Sequence, residues 1–144
     1  MKVDFYQLSR DPAELVVPLL ARNTLGLGER LLVVSADSGQ LGRIEDALWS
    51  REGTFLANGR AGGDHDARQP VLLSDSTGAA NGARYVVLAD GKWRDEVDAF
   101  ERVFLLFDGS TIDDARGTWR SLEGRDGLER AYWRQEGGKW VKAA

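Results

Sequence analysis

Apolar residues in this chain come as short unbroken runs separated by one-sided stretches. Leu31–Val34, Val71-Leu72-Leu73, Tyr85–Leu88 and residues 103–107 (Val-Phe-Leu-Leu-Phe) are such runs, with turn formers such as Gly78, Asn81, Gly82 and Gly91 before or between them. Runs rich in β-branched and aromatic side chains read as strands, and continuous ones suit strands covered on both faces. A first strand is expected over Lys2 to Leu8, where apolar Val3, Phe5 and Leu8 mix with polar positions.

Between the runs the periodicity becomes helical. Asp11 followed by Pro12 and by Glu14 three residues on reads as a helix start, with a capping side chain, a preset φ and a reciprocal carboxylate. Leu15, Val16, Leu19 and Leu20 supply its apolar face, Pro18 predicts a kink or restart, and Gly26 and Gly28 close it. Asp37 with Gln40 opens a second helix carrying Leu41, Ile44 and Leu48. A third is expected to be capped by Ser110 and Asp113, with Asp113 and Asp114 favouring its dipole, and to stop near Gly124.

Strand and helix alternate, which is the α/β signature. Residues 53–69, glycine-rich and charged apart from Phe55 and Leu56, read as one short strand and a mobile loop. Residues 128–144 fit a hairpin about Gly137-Gly138.

At 144 residues, with 42% hydrophobic and 29% charged residues, the chain suits one domain, 1–144. It has no cysteine, hence no disulfide or thiolate metal site. Residues 1–8 are too short for a secretion signal, and no apolar run approaches a membrane span of about 18 residues. The expectation is therefore a cytoplasmic protein without a membrane contact.

The net charge of −4 conceals an asymmetry, because residues 115–144 carry seven Lys/Arg against four acids. An acidic body with a weakly basic tail is unsuited to strong non-specific DNA binding but can attract an acidic peptide.

Few residues look catalytic. Leu25-Gly26-Leu27-Gly28 closes a helix and precedes a strand, the reverse of a dinucleotide fingerprint, and no Walker-type lysine motif is present. Asp64-His65-Asp66 holds the only histidine but lacks further ligands at regular spacing. Ser35, Ser74 and Ser76 have no nucleophile-elbow context. No cofactor or metal is expected.

Arg116, Trp119 and Arg120 share one helical turn, with Ile112 one turn before and Tyr132, Trp133 and Trp140 following. Guanidinium groups beside exposed indoles suit an acidic peptide that ends in an aromatic residue and a carboxylate. Like charges four apart repel, so something anionic should face Arg116 and Arg120. Asp113 and Glu123, each three residues away, offer an internal answer by ordinary surface pairing. Trp49 follows the core position Leu48, which turns its indole partly outward, and Phe55 lies close by in sequence. Partial core and interface are both open for that pair.

With these residues in hand, the chain resembles the chi subunit of bacterial DNA polymerase III holoenzyme over nearly its full length. The matching features are Phe5-Tyr6-x-Leu8, Gly28-x-Arg30-x-Leu32-Val33 and Leu41-x-x-x-x-Asp46-x-Leu48-Trp49. Phe55, Pro70-Val71, Phe107-Asp108, Ala115-Arg116-x-x-Trp119-Arg120 and Tyr132-Trp133-x-Gln135 through Trp140 follow in order.

The resemblance implies a three-layer α/β domain with a mostly parallel central sheet, mononucleotide-binding-like in topology but without nucleotide. It further implies a non-catalytic replisome adaptor, linking the clamp loader through its psi subunit to the acidic C-terminal tail of single-stranded DNA-binding protein. By position, tail binding falls on Arg116, with Trp119, Arg120, Ile112, Leu105 and Phe107 around it. The patch facing psi or an accessory repair helicase falls on Trp49 and Phe55. Ala57-Asn58 stands where the family usually has Pro-His, close to that second patch. A small nucleotide-dependent α/β enzyme is the alternative, and direct binding of single-stranded DNA by the C-terminal Trp and Arg residues is a third possibility.

Overall fold

A computed structural model describes residues 1–50 and 56–144. Its strands are β1 (Lys2–Gln7), β2 (Leu31–Val34), β3 (Asn58–Arg60), β4 (Val71–Ser74), β5 (Tyr85–Leu88), β6 (Arg102–Phe107), β7 (Glu129–Glu136) and β8 (Lys139–Lys142). Its α-helices are α1 (Ala13–Gly26), α2 (Ser38–Ser50) and α3 (Ile112–Ser121), and two short 3-10 turns lie at Asp66–Arg68 and Asp95–Ala99. The strands form one sheet in the order β3-β4-β2-β5-β6-β1-β7-β8, parallel throughout except for the β7–β8 hairpin.

Strand alternation divides the apolar runs between two cores. Leu31, Val33, Val71, Leu73, Phe104 and Leu106 pack against α1 and α2 on one face. Leu32, Val34, Leu72, Val103, Leu105 and Phe107 meet Val97, Phe100, Ala115 and Leu122 on the other. The continuous apolar runs are thereby explained, since each strand is covered on both sides. The expected three-layer α/β architecture is the one observed.

Several local expectations differ from the structure. Asp11 does not cap α1: its carboxylate accepts from Gln135 Nε2 at 2.6 Å, and its amide donates to Gln135 Oε1. A tertiary partner at the hairpin has displaced the reciprocal capping pair. α1 runs unbroken through Pro18, which is itself buried and removes only one amide from the ladder. The buried face is Ala13, Val16, Val17, Leu20, Ala21 and Thr24, whereas Leu15 is 53% exposed. Ser110 does not cap α3 either, because both its amide and its hydroxyl donate to Asp108 Oδ1.

Other expectations hold. Asp37 Oδ1 accepts from the Gly39 and Gln40 amides, and Leu41, Ile44 and Leu48 are the buried residues of α2. The tail forms the expected hairpin, with Gly137 and Gly138 both at positive φ, as a tight turn of that twist requires. The short strand expected within residues 53–69 is seen at Asn58–Arg60. In the loop that follows, the Asp66 carboxylate accepts the Gly62 and Gly63 amides.

Candidate functional site

β7 decides how the C-terminal aromatic residues are distributed. It lies beside β1 in parallel register, Phe5 opposite Tyr132 and Tyr6 opposite Trp133. Successive side chains on a strand point to opposite faces, so Tyr132 and Trp133 part company. Tyr132 joins the α3 side, where its ring is 5.9 Å from Trp119 and 5.7 Å from Phe107. Trp133 stacks on Tyr6 at 6.1 Å, and Trp140 meets the same ring edge-on at 5.0 Å. The run of aromatics that reads as one cluster is thus two clusters, and Trp133 and Trp140 do not border the α3 arginines.

On the α3 side, Trp119 is partly buried. Phe5 lies 5.2 Å away in an edge-on contact, and the Arg130 guanidinium sits 4.0 Å over the indole. Arg130 Nη1 also donates to the Trp119 carbonyl. Tyr132 donates its hydroxyl to Gln7 Oε1. Burial raises the Tyr132 pKa, and the nearby charges of Arg116 and Arg134 act against that rise. Both guanidiniums therefore lie near enough to the phenol to act on it.

Arg116 remains in solvent, 60% exposed, and its ion pair with Asp113 is long at 3.9 Å. Such an exposed contact contributes little. Arg120 is exposed and makes no ion pair among the described residues. Glu123, the partner that spacing offers it, lies 3.8 Å from Arg130 instead. Internal pairing therefore leaves the two helix cations largely uncompensated.

Ile112 is half-buried at the start of α3 and packs on the same core as Trp119. Leu105 and Phe107 correct the sequence reading: they are 0% and 1% exposed, so they offer a ligand no surface. Strand alternation directs both side chains beneath α3, where they form the floor that supports Trp119 and Tyr132. Trp49, in the last turn of α2, is 44% exposed, directly after fully buried Leu48. Phe55 lies outside the described residues.

The carboxyl end of the sheet tests the nucleotide alternative. A crevice of about 420 Å³ opens at the carboxyl ends of β1, β5 and β6, where α/β sheets usually bind ligands. Asp11, Glu14, Asp90 and Asp108 line it against Arg10 and Arg43, and Arg43 is already paired with Glu14 at 3.1 Å. Burial works to raise the Asp90 pKa, but hydrogen bonds from Arg94 and the Ala36 amide prevail and lower it, keeping that carboxylate charged. A polyphosphate meets net negative charge there. Among the described residues, no three His, Cys, Asp or Glu stand close enough to hold a metal ion, and no helix is long and apolar enough to cross a membrane.

Gln7 and Arg130 escaped the sequence reading, and Glu123 was assigned by spacing to Arg120. Their roles depend on pairing across β1, β7 and α3, for which local spacing carries no signal. Comparison with known proteins gives a match to the family model described as DNA polymerase III chi subunit, HolC, over residues 1–129. No curated protein matches the chain.

Proposed function

The chain belongs to the DNA polymerase III chi subunit family, and from that premise we propose that it is a non-catalytic, cytoplasmic replisome adaptor. It captures the acidic C-terminal tail of single-stranded DNA-binding protein on the outer flank of α3. The observation that carries this reading is the state of the two helix cations: Arg116 is exposed with a 3.9 Å pair, and Arg120 has none among the described residues, both beside a fixed indole.

In this mechanism the terminal carboxylate of the tail meets Arg116, whose planar fork suits bidentate binding. The final aromatic ring rests by Ile112 and the exposed edge of Trp119, while Leu105 and Phe107 hold that surface from below. Upstream acids of the tail face Arg120. Charge speeds the encounter and the ring confers specificity. A tetramer on DNA presents several tails, so modest single-site affinity is raised by avidity.

Trp49, with Phe55, is the proposed second contact, for a psi subunit or a helicase that ties the adaptor to the clamp loader. A half-exposed indole at a helix end has the chemistry of an interface anchor.

Fluorescence polarisation with a synthetic acidic peptide ending in proline and phenylalanine tests the tail site. Arg116→Ala should weaken binding by about tenfold or more while leaving the thermal midpoint in place. An unchanged dissociation constant sinks the assignment. The nucleotide-enzyme alternative makes the opposite forecast, a rise in thermal midpoint on adding ATP, with or without magnesium. Direct stacking on single-stranded DNA is disfavoured by Trp133 and Trp140, which pack on Tyr6 on the opposite side of the sheet from Arg116 and Arg120.

A further inference from the structure

Glu123, in the turn just past α3, is the acid that local spacing offers to Arg120, whose carbonyl accepts the Glu123 amide. The fold sends it elsewhere. Arg130, reaching across from β7, stands 3.8 Å from the Glu123 carboxylate, stacks 4.0 Å over Trp119 and donates to the Trp119 carbonyl. The two partners differ in freedom: the Arg130 side chain is 21% exposed and pinned by three contacts, while Glu123 is 74% exposed. The arginine is the better-held partner, and the exposed carboxylate leans toward it.

We infer that Arg130 is a positioning residue of the peptide site, which diverts Glu123 from Arg120 and thereby keeps Arg120 open to an anionic chain. The inference rests on reading the α3 flank as the tail site. Arginine suits the position, as a flat cation that stacks on the indole and donates to its carbonyl, but the diversion of Glu123 itself requires only a positive charge there. With the Arg130 charge gone, Glu123 falls to the next cation, and the turn that bonds its amide to the Arg120 carbonyl makes that Arg120. An incoming acidic peptide must then compete with an acid of the chain itself.

The test measures affinity for the same synthetic acidic peptide across five variants and the unaltered chain. Arg130→Met keeps an apolar stem against the indole and removes the charge, and should bind about fivefold more weakly. Adding Glu123→Gln to Arg130→Met should restore affinity to within about twofold of the unaltered chain. Adding Glu129→Gln instead returns the same net charge from a different position and should restore little. Arg130→Lys retains a cation for Glu123 and should stay within about twofold of the unaltered chain.

Equal recovery from Glu129→Gln would mean that only the general field matters and would overturn the inference. So would a loss in Arg130→Met that Glu123→Gln leaves unrepaired, because the role would then be packing of Trp119 alone. Should Arg130→Met fail to fold, Arg130→Lys decides: affinity reduced by about fivefold or more in a folded protein overturns the inference, and retained affinity supports it. Arg116→Ala in the same titration separates the two readings. If it has no effect, the tail site itself is wrong; if it abolishes binding while the Arg130 series fails, only the positioning role falls.

Discussion

On the α1 side of the sheet, Asp4 is closed off from solvent between Arg102 Nε and Trp133 Nε1, each 3.0 Å away, and Tyr6 lies beside it between two indoles. On the α3 side, Arg116 and Arg120 project into solvent past Trp119 and Tyr132, and the long Arg116–Asp113 contact is the only ion pair they make among the described residues. Both regions combine arginine with tryptophan and tyrosine. Charge accounting separates them: the first satisfies its charges internally and welds β1, β6 and β7 together, while the second leaves cations over. Burial next to Asp4 pushes the Tyr6 hydroxyl up to about 12, as expected of a phenol that stays neutral within a sealed cluster. An arginine beside an aromatic is thus no evidence of a binding site until its acid has been sought.

That contrast is broken most forcefully from the sealed side. Asp4→Ala leaves the Arg102 guanidinium and the Trp133 indole N–H without their acceptor, and should cost about 3 kcal/mol of stability in urea unfolding. Peptide affinity of the folded fraction should not change. If the stability cost is absent, the α1-side cluster is not the weld described here.

From the open side the effects reverse, touching affinity and sparing stability. Arg116→Ala is the large one; Arg120→Ala should weaken the peptide about threefold and make its dissociation constant less sensitive to salt, because an exposed steering charge is removed. A fall in melting temperature matching the Asp4→Ala variant would show that these arginines are structural after all.

Trp133→Phe sharpens the comparison with a smaller change. It deletes the indole N–H donated to Asp4 and keeps an aromatic ring against Tyr6, so about 1 kcal/mol of stability should be lost with no change in peptide binding. Should peptide affinity fall instead, the two faces of β7 would be coupled.

The smallest expected effect concerns the turn that launches α3. Hydrogen bonds from the Ser110 hydroxyl, outweighing burial, and from the Ser110 amide and Thr111 hold the Asp108 pKa below its ordinary value of 3.8. A carboxyl depressed on folding stabilises the fold fully above its unfolded value, and that stabilisation is lost as pH falls through the lower folded value. Asp108→Asn should therefore flatten the acid limb of the stability profile below about pH 4 and leave neutral-pH peptide binding nearly unaltered.

The apolar runs at 31–34, 71–73, 85–88 and 103–107 and the turn glycines at 137–138 made the strands, the hairpin and the α/β class legible from sequence, because local periodicity and φ preference act within a few residues. The Asp37 cap and the core positions Leu41, Ile44 and Leu48 were legible for the same reason. The caps at Asp11 and Ser110 were not, since Gln135 and Asp108 outbid the helix amides. Arg116, Trp119 and Arg120 were identifiable as a cluster, but spacing alone paired Glu123 with Arg120, and only the approach of β7 handed that acid to Arg130. The placement of β7 against β1 likewise divided Tyr132 from Trp133 and put Leu105 and Phe107 out of reach. Neighbours along the chain set which elements form; which charges remain unanswered depends on partners far apart in sequence, and these meet only when the sheet assembles.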